Sequence, residues 1–103
     1  MGYCTNFELN IEDGDIDISV ISKRLTQITK YTFGYDGTLY HAKWYDWKDD
    51  MRKLSSEYHD IVFVLSGQGE EYGDIWKAYF KNGKMQYAAA IVTFEPFDEG
   101  KLK

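Results

Sequence analysis

In 103 residues the chain has one cysteine (Cys4), one proline (Pro96) and two histidines (His41 and His59). A lone cysteine forms no internal disulfide and builds no cysteine-rich metal cage. Neither histidine is followed two positions later by Ser or Thr, since Lys43 and Ile61 stand there. The two-histidine phosphoesterase pattern is therefore absent. No Asp or Glu lies at helical spacing from a histidine, as a zinc-binding helix requires. No apolar run approaches the roughly 20 residues of a membrane span. The start, Met1-Gly2-Tyr3-Cys4-Thr5, lacks the basic and apolar regions of a secretory signal, and Asn6 replaces the Ser or Thr of a myristoylation site. The expectation is a cytoplasmic protein with no membrane segment, no metal site and no cofactor.

What is present is aromatic and acidic. Nine Tyr, six Phe and three Trp make 17% of the chain, a content that serves either a small sheet core or an interface. Twelve basic against 17 acidic residues give a net charge of −5. That balance repels phosphate backbones and disfavours DNA and RNA as partners. It suits solubility, or a protein partner with a basic surface.

The pattern predicts the order β-α-β-α-β-β-β. Tyr3, Thr5, Phe7, Leu9 and Ile11 alternate with polar residues, the period of a strand with one apolar face. Ile18, Ile21, Leu25 and Ile28 recur at helical spacing over 18–29, with Asp17 as the N-cap. The segment 31–38 is either a short hairpin or an aromatic loop around Asp36-Gly37. Residues 39–45 read as a second strand. A second helix begins at Asp46, with Asp49 completing a short capping box and Trp47, Met51, Leu54 and Tyr58 as its apolar stripe. The unbroken run Ile61–Leu65 marks a central strand buried on both faces. Residues 75–81 and 84–95 flank Asn82-Gly83, a two-residue hairpin turn. The expected fold is a single α+β domain over 1–103 with a polar tail at 96–103. It is a two-layer, ferredoxin-like sandwich with both helices on one face of a mixed sheet.

The turn sets the hairpin register: Phe80 opposes Met85, Ala78 opposes Tyr87 and Trp76 opposes Ala89. These share a face with Ile91. The other face carries Ile75, Lys77, Tyr79, Gln86, Ala88, Ala90, Val92 and Phe94. Both faces are largely apolar. Small Ala88 and Ala90 would let the helices approach closely, which leaves Trp76, Phe80, Met85 and Tyr87 open as a partner-binding or dimer surface. With the faces exchanged, or with the loop 31–35 folded over the patch, those residues would be covered. Three nearby lysines (Lys77, Lys81 and Lys84) are too few for a nucleic-acid stacking surface.

Carboxylates elsewhere give no specific chemistry. Asp13, Asp15 and Asp17 open like a calcium loop, but Ile18 and Arg24 replace its Gly and Glu. Cys4 on an apolar-rich strand reads as an inert small residue. Glu70, Glu71 and Asp74, in a loop punctuated by Gly67, Gly69 and Gly73, read as a solvated acidic rim or a contact for a basic partner. No enzyme is expected.

The stretch from Lys43-Trp44 through Leu54-Ser55-Ser56-Glu57-Tyr58, Ile61-Val62-Phe63 and Gly69-Glu70-Glu71-Tyr72-Gly73-Asp74-Ile75-Trp76 resembles small phage- and plasmid-encoded proteins distantly similar to the YubB ferredoxin-like domain family. The resemblance covers about a third of the chain. It implies a ferredoxin-like fold, a mobile-element setting in a host cytoplasm and no catalytic residues. With it comes the expectation of a protein-binding inhibitor of a host defence system, of the anti-CRISPR type. On that reading Trp76, Phe80, Tyr87 and Met85 anchor the partner, and Glu70, Glu71 and Asp74 rim the contact. The alternative is a small-ligand binder that sequesters a nucleotide, with Lys77 or Arg52 meeting phosphate.

Overall fold

The computed structural model describes residues 3–71, 73–90 and 96–102. Strand β1 (Thr5–Asp13) buries Phe7 and Leu9 while Glu8, Asn10 and Glu12 stay exposed, as its alternation dictates. Helix α1 (Ile18–Ile28) starts where Asp17 accepts from the Ser19 amide at 2.9 Å. That amide, together with the Ser19 hydroxyl, holds the Asp17 carboxyl below the usual range. The segment before β2 (Thr38–Ala42) is a loop rather than a hairpin, turned at Gly37 with φ +88° and tucked in through buried Phe33. Helix α2 is Trp47–Glu57. Its expected capping box does not form, because Asp46 makes no side-chain cap bond. Instead the Asp50 carboxylate accepts from the buried Trp44 indole at 2.7 Å.

Strand β3 (Val62–Gly69) is the middle of a five-stranded sheet ordered β2-β1-β3-β4-β5, with β4 at Ile75–Lys81 and β5 at Lys84–Ala89. The expected mixed sheet is corrected, since every hydrogen-bonded pair is antiparallel. Strands β2 and β3 do run the same way, but β1 lies between them, so the α2 connection spans a strand instead of joining neighbours. The hairpin register is the expected one, with Phe80 opposite Met85, Ala78 opposite Tyr87 and Trp76 opposite Ala89. Asn82 and Gly83 take φ +50° and +77°. Left-handed values at both positions are what a twisted two-residue hairpin turn requires. The expected continuation of this strand through Ile91, Val92 and Phe94 lies outside the described residues.

The face assignment is reversed. Phe80 is fully buried and Trp76 is 7% exposed, both within the core that holds Ile21 and Leu25 of α1 and Met51 and Leu54 of α2. Met85 packs against the same core. Tyr87 is on this side too, 49% exposed at its margin. The reason is volume. Each helix has 11 residues, about 16 Å of rod. Large rings fill the layer beneath two such short rods; alanines would leave voids.

Gly67 makes the arrangement possible. It lies directly opposite Trp76, and a Cβ there would run into the indole ring. Rings then continue edge to face and stacked across the layer. Phe33 meets Trp44 at 5.2 Å, Trp44 meets Phe7 at 5.1 Å, and Phe7 meets Trp76 at 6.0 Å. Trp76 stacks on Trp47 of α2 at 4.3 Å and 20°. At the far end of α2, the buried Ser55 hydroxyl accepts the Gly83 amide at 2.8 Å and donates to the Arg52 carbonyl. One hydroxyl thus ties the helix to the hairpin turn. Ser22 on α1 is as deeply buried, but its hydroxyl has no partner among the described residues.

Two tests follow from this packing. Trp76→Ala should lower the unfolding free energy by about 3–5 kcal/mol and Gly67→Ala by about 1–3 kcal/mol, read by urea denaturation. The two buried serines should respond in opposite directions. Ser55→Ala strands the Gly83 amide and should cost about 1–2 kcal/mol, whereas Ser22→Ala removes an unpaired buried hydroxyl and should be neutral or stabilising.

Candidate functional site on the helix-free sheet face

With both helices on one side, the described residues leave the other sheet face bare. Cross-strand pairing arranges it in rows. Asn6, Gln68 and Ile75 form one row, closed by Ala90, whose amide donates to the Ile75 carbonyl at 2.9 Å. The next holds Glu8, Ser66, Lys77 and Ala88, and the third Asn10, Val64, Tyr79 and Gln86. At the hairpin end lie Asp13 and Val62, then Lys81 opposite Lys84. The composition is graded. Carboxylates occur on β1, cations on β4 and β5, and the central strand passes from polar Gln68 and Ser66 to apolar Val64 and Val62. Val64 is only 6% exposed although no described helix covers it; its cross-strand neighbours are Asn10 and Tyr79.

Two exposed apolar side chains stand out on this face, Tyr40 at 64% and Ile75 at 49%. Ile75 lines two shallow hollows. One, of about 250 Å³, includes Asn6, Tyr40 and Gln68; the other, of about 230 Å³, includes Lys77, Ala88 and Ala90. Asn6 also shapes the edge, since its side-chain oxygen accepts the His41 amide at 2.8 Å where β2 kinks at φ +53°.

The acidic loop borders Ile75, and it is tethered. The Tyr3 hydroxyl donates to the Asp74 carboxylate at 2.6 Å and accepts the Glu71 amide at 3.0 Å. Glu70 accepts the Cys4 amide at 3.1 Å, and the Tyr45 hydroxyl accepts the Tyr3 amide at 2.9 Å. Two of the three loop carboxylates, those of Glu70 and Asp74, are thereby engaged in holding the first strand. Glu71 is exposed and offers its amide inward, which leaves its side chain as the rim charge. The hydrogen bond to Asp74 raises the Tyr3 pKa above its ordinary 10.0, because ionising the phenol would forfeit it.

Trp76 and Phe80 are thus removed from the site, which the sequence expectation had placed on them. Met85 is half-buried against the core. Tyr87 is the one expected anchor at the surface, its ring 5.8 Å from Trp76 and 6.4 Å from Trp47. Lys48 lies over the Trp47 and Tyr87 rings at 5.4 and 5.9 Å, a cation–π contact at the core's margin. Glu70, Glu71 and Asp74 adjoin the bare face through Ile75. Sequence reasoning listed Ile75 and Tyr79 among one face of the hairpin but put the helices over them, and it gave Tyr40 no role. Gly67 and Gly69, expected in the acidic loop, lie within β3, and a glycine inside a strand was the signal of a close approach by a neighbour, here the Trp76 ring. Among the described residues no cluster of three His, Cys, Asp or Glu side chains is placed to hold a metal, and no helix is long and apolar enough to cross a membrane. No known protein family matches this sequence, and no curated protein and no solved structure matches it either.

Replacing Tyr3 by Phe should free the acidic loop without unfolding the domain, since loops open locally. Hydrogen exchange at the Glu71 amide should quicken by about five- to tenfold, with the melting temperature nearly unchanged. A raised phenol pKa means that the tether is complete below pH 10.0 and is lost as pH climbs through the raised value. The variant should show no such alkaline loosening.

Proposed function

We propose that this chain is a non-catalytic protein-binding module that docks through its helix-free sheet face, with Ile75 and Tyr40 as apolar anchors and Glu71 as the flanking charge. One observation carries the proposal: a sheet face that no described helix covers keeps an exposed aliphatic and an exposed aromatic side chain, Ile75 and Tyr40, around one hollow beside an acidic loop. Apolar side chains set among polar ones and rimmed by charge are the ordinary make-up of a protein contact. The carboxylate at the rim favours a partner with a basic surface, through faster encounter more than through affinity. Tyr87 lies on the opposite side of its strand, so it does not extend this surface.

The finer readings belong to the same proposal. A ferredoxin-like kinship is supported by the split β2-α2-β3 unit with β1 between its strands. An inhibitor role, in a phage or plasmid setting and directed at a host defence protein, rests on the resemblance of the stretch 43–76.

The test is a quantitative titration of an affinity-captured, purified partner. Ile75→Asp should weaken binding by about 30-fold or more, corresponding to a hot spot of about 2 kcal/mol, with the melting temperature unchanged. Glu71→Lys should mainly slow association and flatten its salt dependence. Unaltered affinity in Ile75→Asp and Tyr40→Ala, both folded, would exclude this face as the contact.

A further inference from the structure

A hollow lies at the hairpin tip, away from the acidic loop. It has a volume of about 460 Å³ and is lined by Val62, Tyr79, Phe80, Lys81, Asn82, Lys84, Met85 and Gln86. Small-ligand sites span roughly 300–1,000 Å³, with apolar walls and a few convergent polar groups. Here Val62 and Tyr79 give apolar side chains, those of Phe80 and Met85 being turned to the core, and Lys81, Lys84 and Gln86 give the polar groups.

The charge at this place needs an explanation. Lys81 and Lys84 are directly opposite each other in the last pair before the turn, where like charges destabilise a hairpin. The protein has 17 acidic residues, yet neither lysine has an ion pair among the described residues, where the one salt bridge joins Arg24 to Glu57. The acid in the same row, Asp13, pairs with Val62 on β1, about 10 Å from Lys81 across an intervening strand. Lys77 adds a third cation on the same face of β4, four residues from Lys81 and beyond Tyr79. An anion seated between Lys81 and Lys84 would turn their repulsion into binding, through charge-assisted hydrogen bonds. Half-buried Tyr79 and the amide of Gln86, a cross-strand pair one row further in, supply a ring face and a donor–acceptor edge.

We infer that the hairpin-tip groove is a binding site for a small phosphorylated ligand with a flat ring, a nucleoside monophosphate by chemical class, with Lys81 and Lys84 on the phosphate and Tyr79 and Gln86 on the base. This site is separate from Ile75 and the acidic loop, and it stands or falls independently of the protein-docking proposal.

Calorimetric titration with the 5′-mononucleotides, the matching nucleosides and inorganic phosphate tests it. At least one mononucleotide should bind saturably and raise the melting temperature, more tightly than either its nucleoside or phosphate alone. Lys81→Gln and Lys84→Gln should each weaken it by about tenfold or more. Lys84→Glu should abolish binding while holding or raising the melting temperature, because it replaces a repulsive pair by an attractive one. Tyr79→Ala should reduce the mononucleotide to the level of phosphate. The inference is overturned if no mononucleotide binds at millimolar concentration, if phosphate binds as well as the nucleotide, or if Lys84→Glu binds as the parent does.

Discussion

The indole of Trp76 occupies the space that any side chain at position 67 would need, and much of the structure follows from that exclusion. With Gly67 beneath it, the ring lies flat enough to stack on Trp47, which brings the first turn of α2 down onto β4. The opposite end of the helix is held by the Ser55 hydroxyl on the hairpin turn. Two contacts, one apolar and one polar, therefore fix α2 along the whole length of the β4–β5 hairpin. The ring chain from Phe33 to Trp76 carries the same packing across to β1 and the loop before β2.

Once the large rings are committed to one side, the other side of the sheet inherits the remaining residues, and these decide its chemistry. Polar Asn, Gln and Ser side chains cover β1 and β3, while β4 and β5 bring Ile75, Tyr79, alanines and lysines. A face of this kind is neither a uniform acidic patch nor a plain apolar one. Its two ends differ: Ile75 meets the tethered acidic loop at one, and the lysine pair meets the groove at the other. The net charge of −5 conceals this separation. A chain-wide sum says which partners are repelled at long range, but within a Debye length of about 8–10 Å the local arrangement governs.

The acidic loop shows how hydrogen bonding redistributes apparent function. Glu70, Glu71 and Asp74 look equivalent in the sequence, yet Tyr3 and Cys4 engage two of their carboxylates to fasten the first strand. A glutamate used as a tether offers less to a partner than one facing water, since a contact would first have to break an existing bond. The loop is thus structural on its inner side and available on its outer side.

Element order, strand and helix periods, the Asp17 cap, the hairpin register and its left-handed Asn82-Gly83 turn were all readable from the chain, because each depends on residues close in sequence. So was the division of the hairpin into two sets of alternating residues. Which set faces the helices was not. Both sets are apolar, so periodicity alone could not choose between them, and the choice rested on whether rings or alanines better fill the gap to α1 and α2. That gap is set by the helices' length and by Gly67 lying opposite Trp76, a pairing between strands that is known only once β3 and β4 are in register. Local chemistry therefore determined the pieces and their turns, while long-range packing volume decided which surface this protein shows to other molecules.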